Sequence, residues 1–145
     1  MVIHTMYKRK IKHYNHIFND TVRLYRGAVD YLISVCMDHW AEVVTIPKEL
    51  ERKTYVESMI HKTKDNPVVP YDFDDQFYKF PSYLRRSAIA TAIGKVSSYK
   101  SNLAAWKSSD TKNRGLTPGL PKAGFSKRST STLSDLISLN AVLRA

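Results

Sequence analysis

Cys36 is the only cysteine in this 145-residue chain, which excludes an intramolecular disulfide and a multi-cysteine zinc site. Long apolar runs are missing as well. The opening "MVIHTMYKRKIKHYNHIF" lacks the uninterrupted apolar centre of a signal peptide, and no stretch reaches the ~18 apolar residues of a membrane span. These absences point to a cytoplasmic protein with no membrane partner. No glycine-rich loop fits a P-loop, no serine sits in a nucleophile elbow, and no internal repeat is present. Asp72, Asp74 and Asp75 share one proline-bounded loop. Adjacent carboxylates there suit solubility or capping, whereas a metal-dependent nuclease needs several converging on Mg²⁺. Cys36 and His39 have a ligand-like spacing, with His13 and His16 as further imidazoles. Cys36, however, falls within the apolar arc of a helix, where a thiol is a small hydrophobe, and structural zinc sites use more than one cysteine. No catalytic residue, metal or cofactor is expected, and the chain is not read as an enzyme.

What the chain has is positive charge. Its 23 Lys and Arg against 13 Asp and Glu give a formal charge of +10, which implies an anionic partner, nucleic acid first. The charge is unevenly spread. Residues 45–80 hold six basic and seven acidic residues, so the excess belongs to the two ends and to the stretch from Tyr83 to Trp106.

Four segments follow. Residues 1–12 read as a short basic strand. Residues 13–106 read as a helical region, beginning with a long helix from Tyr14 to Trp40. At about 100° per residue, Tyr14, Phe18, Val22, Tyr25, Val29, Leu32 and Cys36 share one arc of that helix; Asn15, Asn19, Arg23, Arg26, Gly27, Asp30 and Ser34 lie opposite. A second helix is expected from Pro47 to about Lys62, then a loop through "DNPVVPYDFDDQFYKFP". Residues 107–132 carry three glycines, two prolines and six basic residues against Asp110 alone, as in an extended basic connector that orders on a partner. Residues 133–145 loosely alternate and stop without a cap, as the truncated start of a further segment would. The fold expected is mainly α: three helices, two of them long, with a small β element from the N-terminal strand and the C-terminal segment.

"YLRRSAIATAIGKVSSYKSNLAAW", the third helix, carries Arg85, Arg86, Lys95 and Lys100 and no acid. With Leu84 at zero on a wheel, Leu84, Ala88, Ala92, Val96, Tyr99, Leu103 and Trp106 span about 0° to 120°, an expected core face. Tyr83, Tyr99 and Trp106 are accordingly expected to pack. Ser87, Ala90, Thr91, Gly94, Ser97, Ser98, Ser101 and Ala105 cover the other side. A solvated face ordinarily carries Glu, Lys and Gln, and Gly94 costs roughly 1 kcal/mol relative to Ala. Small residues along a face let another backbone approach, either a partner helix or a sugar–phosphate chain. Arg86 and Lys100 edge the strip.

These residues resemble a known family. "FPSYLRRSAIATAIGKVSSYKSNLAAW" and the following "PGLPKAGFSKRSTSTL" are similar to the N-terminal part of TnpB-type proteins, transposon-encoded RNA-guided DNA nucleases related to compact type V CRISPR effectors. The similarity rests on Leu84, Arg85, Arg86, Ala88, Ile89, Ala92, Ile93 and Gly94. It continues through Ser98, Tyr99, Asn102, Leu103 and Trp106 to Pro118, Leu120 and Pro121. The early "YRGAVDYLISV" fits as well. The resemblance implies a wedge strand at 1–12, a recognition lobe at 13–106, and a second wedge segment after the connector. Guide RNA and target DNA are the implied partners, held through their backbones. The family's acidic nuclease ligands and zinc-ribbon cysteines have no counterpart here, so the missing nuclease half is a further implied partner.

Nucleic-acid contacts are thus expected from Lys8, Arg9, Lys10 and Lys12, from Arg85, Arg86, Gly94 and Lys100, and from Lys107, Lys112, Arg114, Lys122, Lys127 and Arg128. The alternative is a stand-alone basic helical interaction or regulatory domain. Its small-residue face would receive a protein partner.

Overall fold

A computed structural model describes residues 17–109 and 115–124. Five helices occur among them: α1 (Ile17–Asp38), α2 (Trp40–Thr45), α3 (Glu49–Ile60), α4 (Phe73–Gln76) and α5 (Ser82–Ser108). Helix takes up 69% of the described residues and no strand occurs among them. The mainly α expectation holds. Residues 1–12 and 133–145, from which the small β element was expected, lie outside the described residues.

The chain divides into two units. One runs from Leu24 to Ala123; the other combines Met1–Arg23 with Gly124–Ala145. Of the second unit the described part is 17–23 and Gly124, where Arg23 pairs with Asp20 and Thr21 Oγ1 donates to the Ile17 carbonyl.

Within the larger unit, α1 buries Tyr25, Ala28, Val29, Leu32, Ile33, Val35 and Cys36, the face that its period marks. Burial pushes the Cys36 thiol up to about 12. Since the thiolate is the reacting form, thiol reagents at pH 8 should label Cys36 no faster than the protein unfolds. Rapid labelling of folded protein would contradict this packing.

The expected three helices become five at two places. The first helix ends at Asp38, and His39 separates it from α2. The His39 Nδ1 lies 2.6 Å from Glu42 Oε2, and its Nε2 lies 3.0 Å from the Tyr71 hydroxyl. The hydrogen bond from His39, then that from Tyr55, holds the Glu42 carboxyl below its ordinary range. Ile46 then ends α2 in an extended conformation, as the residue before Pro47 prefers, and α3 begins at Glu49.

The second place is the proline-rich loop. It contains α4, and its Phe73 is completely buried. Phe73 meets Phe77, Tyr31 and Phe80 at ring-centroid distances of 4.7, 5.9 and 5.7 Å. The Tyr31 hydroxyl donates to Asp72 Oδ1 at 3.1 Å; burial first, then Asp72, raises its pKa to about 12. Lys79 takes a positive φ of 55° just before Phe80 and Pro81 lead into α5.

Candidate nucleic-acid interface

Helix α5 buries Leu84, Arg85, Ala88, Ile89, Ala92, Ile93 and Val96. Its core face is therefore broader than the expected arc, taking in Ile89 and Ile93, and it stops at Val96. Tyr99, Leu103 and Trp106 are half-buried and Tyr83 is exposed, because the core contacts of α5 end before its last three turns.

The smooth strip is divided between two uses. At its N-terminal end, the buried Tyr25 of α1 places its hydroxyl 3.1 Å from Ser87 Oγ and 3.2 Å from Thr91 Oγ1. There the strip meets α1 through this tyrosine hydroxyl. Farther along the strip is open. A Cβ added at Gly94 would meet nothing within 4 Å.

That open part is the floor of a groove of about 680 Å³, lined on α5 by Ala90, Thr91, Gly94, Lys95, Ser98, Tyr99 and Asn102. Pro118, Gly119, Pro121 and Lys122 form the opposite wall. Lys95 and Lys122 are among its lining residues. The opposite wall is secured on both sides: Trp106 Nε1 donates to the Gly115 carbonyl at 2.7 Å, and the Ala123 amide donates to Asp30 Oδ1 at 2.6 Å. Ala123 itself is buried. Residues 115 and 123 of the basic connector are thus held by hydrogen bonds to α5 and α1.

The expected contacts separate accordingly. Gly94 and Lys122 meet in the groove. Lys100 is half-buried and Lys107 exposed on α5, and neither lines it. Arg85 departs from expectation: it is 7% exposed, and its Nε and one Nη donate to Glu57 Oε1 at 3.2 and 3.1 Å. Its wheel angle of about 100° lies inside the apolar arc, so a charge there had to turn inward to a partner. Arg86 is exposed but turns toward α3, its Nε donating to Glu57 Oε2 at 3.3 Å. Lys8, Arg9, Lys10, Lys12, Lys112, Arg114, Lys127 and Arg128 lie outside the described residues.

Lys95 was not among the expected contacts. On the wheel it falls at about 20°, inside the expected core arc but next to the end of the strip away from Arg86 and Lys100, and only the fold-back of residues 118–122 reveals that side as lined.

The three loop carboxylates have structural partners. Asp72 accepts from Tyr31, Asp74 faces His61 Nδ1 at 2.7 Å, and Asp75 accepts from Lys62 Nζ at 2.9 Å. Among the described residues no group of three or more His, Cys, Asp or Glu is placed to hold a metal ion. No described helix is long and apolar enough to cross a membrane.

A model of the Aq_aa04 family matches residues 5–130, and the chain belongs to that family. No curated protein and no solved structure matches it.

Proposed function

We propose that this member of the Aq_aa04 family grips nucleic acid by its backbone, as the recognition region of a TnpB-like RNA-guided DNA nuclease. The observation that carries the proposal is the open Gly94 on the floor of a groove lined by Lys95 and Lys122. A glycine in a helix interior is unfavourable unless close approach requires it, and lysines lining a groove can contact phosphates. The formal charge of +10 and the resemblance around Gly94 add to the reading. Guide RNA and its hybrid with target DNA are the proposed occupants. Sequence would be read by base pairing, and cleavage would belong to the nuclease part of such a protein.

The test is Gly94→Gln. Glutamine is the better helix former by roughly 0.5 kcal/mol or more, and the site is open, so the melting temperature should hold or rise. Affinity for an RNA–DNA hybrid should fall by roughly tenfold or more, about 1.4 kcal/mol of lost contact. For the unsubstituted protein, if about four phosphates are neutralised, log K should fall with log salt at a slope near −3.6. A destabilised Gly94→Gln protein whose folded fraction binds normally would sink the proposal. So would salt-insensitive self-association in place of hybrid binding, the behaviour of a stand-alone helical interaction domain.

A further inference from the structure

A second cavity, of about 390 Å³, opens where α3 meets the start of α5, lined by Thr54, Glu57, Ser58, His61, Thr63, Asn66, Arg85 and Arg86. None of these residues lines the α5 groove. Its hydrogen-bond inventory is unbalanced. Both Glu57 oxygens are occupied by Arg85 and Arg86. Thr54 and Ser58 spend their hydroxyl protons on the Leu50 and Tyr55 carbonyls. Donors remain unspent. A guanidinium has five N–H groups, and among the described residues Arg86 uses only Nε, with its side chain 71% exposed. Asn66 donates one amide proton to the Ser58 carbonyl, leaving the second. The Thr63 oxygen accepts from the Asn66 amide, leaving its proton to give. A carboxylate only accepts, so Asp74 fixes a proton on His61 Nδ1. His61 Nε2, an acceptor in the neutral ring and a donor only in the protonated one, has no protein partner among the described residues.

A pocket with surplus donors beside paired carboxylates suits a ligand rich in acceptors. We infer that this pocket binds a single phosphoryl group, with Arg86 as its principal charged contact and Thr63 and Asn66 as neutral donors. The guanidinium edge left by the Glu57 contact presents the paired N–H groups that match two phosphate oxygens. Charge agrees. Glu57 is shared by two arginines and Asp74 lies 3.9 Å from Arg85, so each of these two carboxylates has a cation beside it. Lys62, paired with Asp75, lies beside the same turn. The phosphoryl group could come from a nucleic-acid terminus or from free phosphate, and the two arms of the test separate these sources. The inference does not depend on the α5 groove.

The full chain is titrated with inorganic phosphate, and separately with one oligonucleotide bearing either a 5′-phosphate or a 5′-hydroxyl. Saturable phosphate binding is expected, with the amide signals of Thr63 and Asn66 shifting. The 5′-phosphate should improve oligonucleotide affinity by roughly tenfold. Arg86→Ala, at an exposed position, should abolish the phosphate response and the 5′ preference. Asn66→Ala should weaken both, and Gly94→Gln should leave the preference intact. Phosphate binding lost in Arg86→Ala without any 5′ preference would support the pocket with free phosphate as its ligand. No saturable phosphate binding and no 5′ preference would overturn the inference, as would a response unchanged in Arg86→Ala.

Discussion

Replacing Phe73 with alanine should cost the fold about 3–5 kcal/mol, the usual range for removing a buried phenyl ring. Phe73 is wholly inaccessible and heads the fully buried side chains by volume, yet it comes from a helix of four residues. Such a helix has no stability of its own. The ring is what fastens the proline-rich loop to α1, through Tyr31, and to the entry of α5, through Phe80. A domain of this size has about 5–15 kcal/mol in total, so the variant should melt far lower and be partly unfolded at room temperature. Phe73→Leu keeps much of the volume and should lose markedly less. Melting curves that barely distinguish Phe73→Ala from the parent would show the loop to be an appendage.

The second large effect is expected at Glu57. The Arg85 side chain is 8% exposed and lies 3.1 Å from Glu57, with Asp74 farther away at 3.9 Å. Glu57→Ala strands a guanidinium within the core face of α5, and removing one partner of a buried pair costs about 3–5 kcal/mol. Asp74 should hold the loss near the lower bound. The pair itself is a different matter: taking two charges out of water costs about as much as their attraction returns, so Glu57→Ala combined with Arg85→Met should recover most of the loss. Chemical denaturation of the two single variants and the double variant completes the cycle. If Glu57→Ala alone is as stable as the parent, the pair contributes nothing and Arg85 has another solution to its burial.

These two sites also mark what could be read from the amino acids. The buried face of α1 was legible because its apolar residues recur at one helical period and nothing interrupts them. The smooth strip of α5 was legible for a similar reason: eight small positions on one side are visible from spacing alone. Phe73 was not. It lies among prolines and aspartates, where local composition signals a loop, and its burial comes from rings brought from α1 and from residues 77–80. Arg85 was half legible. Its angle placed it on the core face, but only Glu57, 28 residues earlier, shows how a charge is accommodated there. The groove was the least accessible feature, since one of its walls comes from α5 and the other from residues 118–122, whose return is settled by a hydrogen bond from Ala123 to Asp30 across 93 positions.

That return has a mechanical consequence. Because Trp106 holds the carbonyl of Gly115 and Asp30 holds the amide of Ala123, the residues between form a span of fixed endpoints, and their number sets the girth of whatever can lie against Gly94. Lengthening a surface span costs little, about 0.6 kcal/mol for a doubling, while both moorings stay where α1 and α5 put them. The groove is therefore an adjustable caliper: inserting or deleting a residue among 116–121 resizes the opening and leaves the helices that carry it unchanged.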